Sequence, residues 1–439
     1  MLKKIIAPAI LGTALSLFFF PIGFTFLPPT VNSKMLLAVL GVVIFVSNCI
    51  RNRSISFSKD IFFAAVIAAV FSLSCYTSIT INNTNDVSYA QYYLSFFVWL
   101  GGAYAVCSML RGWYGEISIH TLAKYIIWIG VAQAISVLLI DNIPAFSNFV
   151  DSFMDIGQAH VRKLNRKYGI GSALDSGGVR FAVVLVILAF ELCENILDRS
   201  ESKWTFIYIL SFFLITVVGN MVSRTTITGA VLGLGYILMY LLKLNRGIMS
   251  SGRAKAWAII ILTMIIVIPL LTFLYNTNEN MHSSLRFAFE GFFNWAETGE
   301  FRTDSTDKLN GVMWVWPDNP RDWFIGTGLF EGFIYSTDIG YCRFILYCGL
   351  LGFSIFSLFF VYNAAVVWKK FDNSAILALL LMALVFIIWV KVATDIFFVF
   401  SLLLCTDSDS MLADEDDEAD EENEEPATVY KGIAKGILD

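Results

Sequence analysis

The sequence predicts an all-α, polytopic integral membrane protein with about 11 to 12 transmembrane helices and a long non-cytoplasmic loop containing short helices. Hydrophobic residues make up 57% of the chain and charged residues only 15%, and the mean hydropathy is +0.69, a balance no soluble domain carries. Apolar runs of roughly 16 to 23 residues recur along it, the length that a bilayer core demands of a helix.

Lys3 and Lys4 open the chain, followed by apolar residues from Ile5 to Leu27. The stretch is like a signal peptide but has no small-residue cleavage site, so it is read as a retained first helix. Further spans are predicted at Met35 to Ile50, Ile61 to Thr80, Tyr89 to Leu110 and Thr121 to Ile140, then at Val179 to Leu197, Trp204 to Val218, Thr225 to Leu242 and Ala256 to Tyr275. Beyond a long polar interval come Tyr341 to Tyr362 and Ser374 to about Leu404. Lys391 and Asp395 interrupt that last stretch, which is either one tilted helix or a tight hairpin. Residues 1–405 form the membrane domain. The tail, 406–439, holds 13 acidic and 2 basic residues and is expected to be disordered and solvated. The net charge of -6 therefore hides a mildly basic body.

Orientation follows from the short loops. With the N-terminus inside, the cytoplasmic loops hold 14 Lys and Arg in roughly 50 residues and the outer loops 10 in roughly 120. The outer loops at about 141–178 and 276–340 then face away from the cytoplasm. Helical apolar spacing within them, at Phe146, Phe149, Val150, Phe153 and Met154 and again at Leu285, Phe289, Phe292 and Phe293, predicts amphipathic helices. A third short helix is predicted through Leu309, Val312, Met313 and Trp316, stopped by Pro317 and Pro320. Seven cysteines without a CxxC pair, and only three histidines, indicate neither a disulfide framework nor a zinc site. No metal and no cofactor is expected, and nothing in the composition suggests nucleic-acid binding.

The arginines carry the chemical signal. His160 to Lys167 places four cations on the side that the charge bias should keep poor in them. Guanidinium forks bind phosphate oxygens bidentately and keep their charge; contact with lipid headgroups or with Asp151 and Asp155 is the competing explanation. Arg224 lies in a short turn, Ser223-Arg-Thr-Thr226, between two spans, and either holds an anion or snorkels to the interface. Arg302 and Arg321 are lone loop charges. Arg180 and Arg343 lie at the starts of spans, where a charge is costly without work or partners. Asp338 precedes the span opening at Tyr341 and is also a residue type that caps helices; Gly349 and Gly352 permit close helix packing.

Thr337-Asp-Ile-Gly-Tyr-Cys-Arg-Phe344, followed by Gly349-Leu-Leu-Gly352 and preceded by Phe324-Ile-Gly-Thr-Gly328, resembles the O-antigen and capsular polysaccharide polymerases (Wzy-type), which are related to the O-antigen ligases. Ser223-Arg-Thr-Thr226, Arg302-Thr303 and Arg166-Lys-Tyr-Gly169 add to the likeness. The resemblance implies a membrane glycosyltransferase of the bacterial inner membrane with its site facing the periplasm. It would polymerise undecaprenyl-pyrophosphate-linked oligosaccharides without a metal, alongside a chain-length regulator protein. It also implies Asp338 as the catalytic base, Arg166, Arg224, Arg302 and Arg343 on the pyrophosphate, and Arg180 and Tyr341 as further substrate contacts. One departure is that the ligases carry a His where this chain has Asp338. The alternatives are an O-antigen ligase, with lipid A core as acceptor, and a lipid-linked oligosaccharide flippase or transporter. A transporter would show discontinuous helices in matching halves, and none is legible.

Overall fold

The computed structural model describes residues 2–55, 58–155, 166–197, 202–242, 251–371 and 375–408. The first six residues of the His160 to Lys167 cluster and the acidic run Asp414 to Glu425 lie outside them.

Apolar runs become helices where expected, most of them a few residues longer than the purely apolar part. The first is an exception and ends at Phe19, before Pro21, rather than at Leu27, because proline there removes a helix hydrogen bond and its ring crowds the preceding turn. The first five are α1 (Leu2–Phe19), α2 (Ser33–Asn52), α3 (Lys59–Asn82), α4 (Tyr92–Tyr114) and α5 (Ile119–Asn142), followed by the short α6 (Pro144–Phe153). Then come α7 (Leu174–Leu197), α8 (Ser202–Val222), α9 (Thr226–Leu242) and α10 (Ser251–Thr277). The long loop forms α11 (Glu279–Ala288), α12 (Glu290–Thr298), α13 (Asp304–Val312) and α14 (Pro320–Ile325). The chain closes with α15 (Gly340–Lys370), α16 (Ala375–Ile388) and α17 (Phe397–Cys405). The only strands among the described residues are a two-residue antiparallel pair, Gly23–Phe24 with Met154–Asp155.

Eight of these helices are long and apolar enough to cross a membrane, and α9, α16 and Ile6–Phe19 are shorter apolar helices. Their surface agrees. On α10, Ile261, Ile265, Ile268 and Phe273 are each more than half exposed, a contiguous apolar face that water would penalise and lipid does not. In contrast, α7 is buried along most of its span, packed by α5, α8, α9 and α16. The chain is a multi-pass helical membrane protein.

The predicted loop helices form with two differences. Leu285 and Phe293 do not share one helix, because the chain breaks at Phe289 between α11 and α12. The third helix ends at Val312, before Trp316, and Pro320 starts α14 rather than stopping α13. Its missing N–H costs nothing at a first helical position, and Asn319 caps that helix by accepting from the Asp322 N–H.

Of the stretch predicted at Ser374 to about Leu404, the described residues 375–404 form a hairpin. Tyr341, at the start of α15, donates its N–H to the Trp389 carbonyl, while Lys370, at the other end of α15, donates to the carbonyls of Leu403 and Leu404. So α16 rises to the level where α15 begins, and α17 returns. At that return end Arg111 pairs with Asp407 at 2.6 Å.

Gly349 interrupts α15 with φ +67° and ψ −179°. A Cβ there would lie 2.2 Å from the Phe324 carbonyl oxygen. The carbonyls released by the break are taken up by the turn after α14 and by α3: Thr327 N–H and Gly328 N–H donate to Leu346 and Tyr347, and Ser78 Oγ donates to Tyr347 at 2.8 Å. The Gly326–Gly328 turn and Gly349 are thus two sides of one packing contact, while Gly352 faces Ser74 of α3. Gly349→Ala should destabilise the protein by at least about 2 kcal/mol, from the left-handed φ and the clash together. Gly235→Ala, where an added Cβ meets nothing within 4 Å, should be neutral or slightly stabilising. Thermal unfolding of both variants in detergent checks the pair.

Candidate functional site

The helix ends around the start of α15 enclose a cavity of about 380 Å³. Its walls come from six separated parts of the chain: Arg166 and Asp175 before and at the start of α7, Ser223 and Arg224 between α8 and α9, Phe287 of α11, Asp304 and Lys308 of α13, Asp338 before α15, and Lys391 between α16 and α17. Four cations and three carboxylates therefore face one space.

The Ser223–Thr226 turn shows how local sequence builds the wall. Only three residues separate α8 from α9, and their hydroxyls are buried. Ser223 Oγ donates to Asp175 Oδ1 at 2.7 Å and accepts the Thr225 N–H at 3.3 Å. These bonds fix the turn and leave Arg224 to reach over the mouth. There it pairs with Glu290 of α12, and its guanidinium lies 4.6 Å from the centre of the Phe287 ring. Arg166 approaches the same ring at 5.5 Å and Asp175 at 3.8 Å. One aromatic ring thus holds two guanidinium groups at the rim. Glu290 also accepts the Asp304 N–H at 2.8 Å, tying α12 and α13 to the Arg224 turn.

Asp338 is open to the cavity between buried Thr337 and Ile339. It does not cap α15: Ile339 holds the cap position without a side-chain bond, and the Ile339 N–H goes to Thr337 Oγ1 at 3.2 Å. Loss of solvation in the cavity, and then the Asp175 carboxylate, push the Asp338 carboxyl above the ordinary aspartate range, while Arg343, Lys391 and Arg166 pull it down.

Of the residues singled out from sequence, the structure brings Asp338, Arg166 and Arg224 together. It places the others elsewhere. Arg302 is 60% exposed and paired with Glu300 and Asp307, both at 3.2 Å; it is a solvated loop charge. Arg343 donates to the Phe330 carbonyl at 2.6 Å and stacks 4.0 Å over that ring, so it anchors the approach to α15 and reaches Asp338 only through its field. Tyr341 donates its hydroxyl to the Phe386 carbonyl at 2.9 Å and fastens α15 to α16. Arg180 lines a second cavity. Sequence reasoning missed Asp175, Asp304 and Lys308 as wall residues, Glu290 as the partner of Arg224 and Phe287 as the arginine platform. Lys391 had a signal, as a charge interrupting an apolar run.

Among the described residues no three His, Cys, Asp or Glu side chains converge as metal ligands. Comparison with protein-family models, with curated proteins and with solved structures gives no match. The fold and site define a multi-pass helical membrane protein with a charged cavity at one end of its helices, and the functional reading rests on that cavity.

Because Asp175 raises the Asp338 carboxyl, removing its charge must lower it. An infrared titration of the purified protein should show a carboxyl band, absent from Asp338→Asn, that ionises above the usual aspartate range. In Asp175→Asn that band should titrate at lower pH.

Proposed function

We propose that this cavity transfers a glycan from a polyprenyl-pyrophosphate donor to a sugar hydroxyl of a second lipid-linked unit, extending a bacterial envelope polysaccharide at the outer face of the inner membrane. The observation that carries the reading is the meeting of one carboxylate, raised and open, with fixed cations from distant segments. Transfer forms a bond between the acceptor oxygen and the anomeric carbon and breaks that carbon's bond to pyrophosphate. The acceptor proton passes to Asp338, which is a stronger base for being raised. The departing pyrophosphate keeps its electrons, and Arg166, Arg224 and Lys391 neutralise the charge it gains. A ligand anion would take the place of Glu290 on Arg224.

Two neighbouring spaces suit the rest of such a substrate. A groove of about 640 Å³ shares Arg166 and Phe287 with the cavity and is lined by Ser147, Asn148, Tyr168 and Asn280, the hydroxyls and amides that sugars pair with. An apolar groove of about 380 Å³ starts at Ile227, three residues past Arg224, and runs along α9 to Ile237, a place for a prenyl chain. The positive-inside bias puts the cavity on the periplasmic side.

One observation favours a second reading, a lipid-linked oligosaccharide transporter. The break at Gly349 and the non-helical connector between α16 and α17 are discontinuities of the kind transporters use. The two readings separate on product: a transporter moves the unit across the bilayer and leaves its length unchanged.

Asp338→Asn should be expressed and inserted normally, since the side chain caps nothing, and should bind the lipid-linked unit but lower polymer formation by about 100- to 10,000-fold. Normal polymer length on gel analysis of the envelope glycan would remove Asp338 from the chemistry. Arg224→Lys should also shorten the polymer at equal abundance, because Lys keeps the charge and loses the planar fork. Full-length polymer from that variant would reduce Arg224 to an interfacial anchor.

A further inference from the structure

Behind the first cavity lies another of about 270 Å³, lined by Lys34 of α2, Tyr92 and Trp99 of α4, Arg180 of α7 and Asp395 of the α16–α17 connector. The two spaces share their partition. Asp175 and Lys391 face one side of it; Ser176 and Arg180, with Thr394 and Asp395, face the other.

The charges in this second cavity are not settled by one another. Arg180 donates to two backbone carbonyls, Phe19 and Ser176, both at 2.7 Å, which uses two of five donors. The Lys34 ammonium lies 4.2 Å from the Trp99 ring centre and makes no hydrogen bond or ion pair with the described residues. Asp395 accepts the Phe397 N–H at 2.9 Å and is met by the Tyr92 hydroxyl, and no ion pair joins it to either cation among the described residues. Two cations and one carboxylate leave one positive charge in excess, with free donors pointing into enclosed space. Charges at this depth are retained when they have work or partners.

We propose that this cavity is a second binding site for a phosphate-type anion, held by Lys34 and Arg180. Guanidinium and ammonium donors suit phosphate oxygens from a lipid headgroup or from free diphosphate alike. Taken with the proposed function, on which this one point rests, the site would hold the pyrophosphate of the second lipid-linked unit while the first cavity holds that of the other. Anion binding at Lys34 and Arg180 stands without it.

Native mass spectrometry of the full chain in phosphatidylcholine nanodiscs, titrated with undecaprenyl pyrophosphate, counts the sites. Two molecules per chain are expected for the wild type. Lys34→Gln should weaken one site by about 10- to 100-fold and leave the other, whose retention shows that the protein is folded. Arg224→Gln should weaken the other site and spare the first. Arg180→Lys, which keeps the charge, should fall between wild type and Lys34→Gln. Inorganic pyrophosphate competing at both sites would identify the anion alone as the ligand; competition by the lipid form only would identify a headgroup site.

Saturation at one molecule in the wild type, or two equal sites in Lys34→Gln, would overturn the second site. If Lys34→Gln binds nothing, the site stands or falls on whether Arg224→Gln retains one. Two-site binding with no glycan transfer would instead sink the proposed reaction and keep the site. Polymerisation by a protein that binds only one anion would do the reverse.

Discussion

The connector between α16 and α17, residues 389–396, is the constraint on which the site depends. A non-helical segment at membrane depth must satisfy its own polar groups within the protein. Here Trp389 Nε1 donates to the Thr394 carbonyl at 2.7 Å, and the Lys391 and Val392 N–H groups both return to Ile388. The Trp389 ring is fully buried and packs against Phe344, Phe353, Phe356, Phe360 and Phe386. Gly340 is needed where α15 meets this turn, since a Cβ would lie 2.8 Å from the Val392 carbonyl oxygen. With the turn fixed, Lys391 is delivered to one cavity and Asp395 to the other.

The loop helices add a second layer. Apolar contacts seat them, with Met281 and Leu285 of α11 against Met221 and with Leu309 and Met313 against Ile339 and Leu346, and carboxylates tie their ends: Glu290 on Arg224 and the Asp304 N–H, and Asp86 on the Glu331 N–H at 2.6 Å. Such contacts can be exchanged for other anions at small cost, whereas a buried apolar contact cannot. The one carboxylate–guanidinium pair among them, Arg224–Glu290, crosses the cavity mouth, so a phosphate that replaces Glu290 on Arg224 would open it.

The membrane helices were legible because apolar run length is a direct consequence of bilayer thickness. Every predicted span from Met35 to Tyr275 overlies a helix, and the hairpin was one of two readings for residues 374–404. The site was legible in part. Asp338 and Arg224 stood out as charges beside a span and Arg166 as a cation on the side that the charge bias should leave poor in them; the fold brings the three to one cavity. The cost of a charge beside a span also selected Arg343, and that cost is met by a neighbouring backbone carbonyl, an acceptor that no side-chain pattern reveals; Tyr341 came only from the resemblance, and its hydroxyl likewise goes to a backbone carbonyl. Asp175, Glu290 and Lys308 lie in ordinary polar context, and only the fold gathers them. Pro320 misled because proline both ends helices and begins them.

Cryo-electron microscopy of the protein loaded with undecaprenyl pyrophosphate tests most directly whether the cavity beneath Phe287 is where chemistry occurs. Diphosphate density in contact with Arg224 and Arg166, facing Asp338, with Glu290 displaced and the prenyl chain along α9, is the expected result. A headgroup bound elsewhere, with the Arg224–Glu290 pair intact, would contradict it.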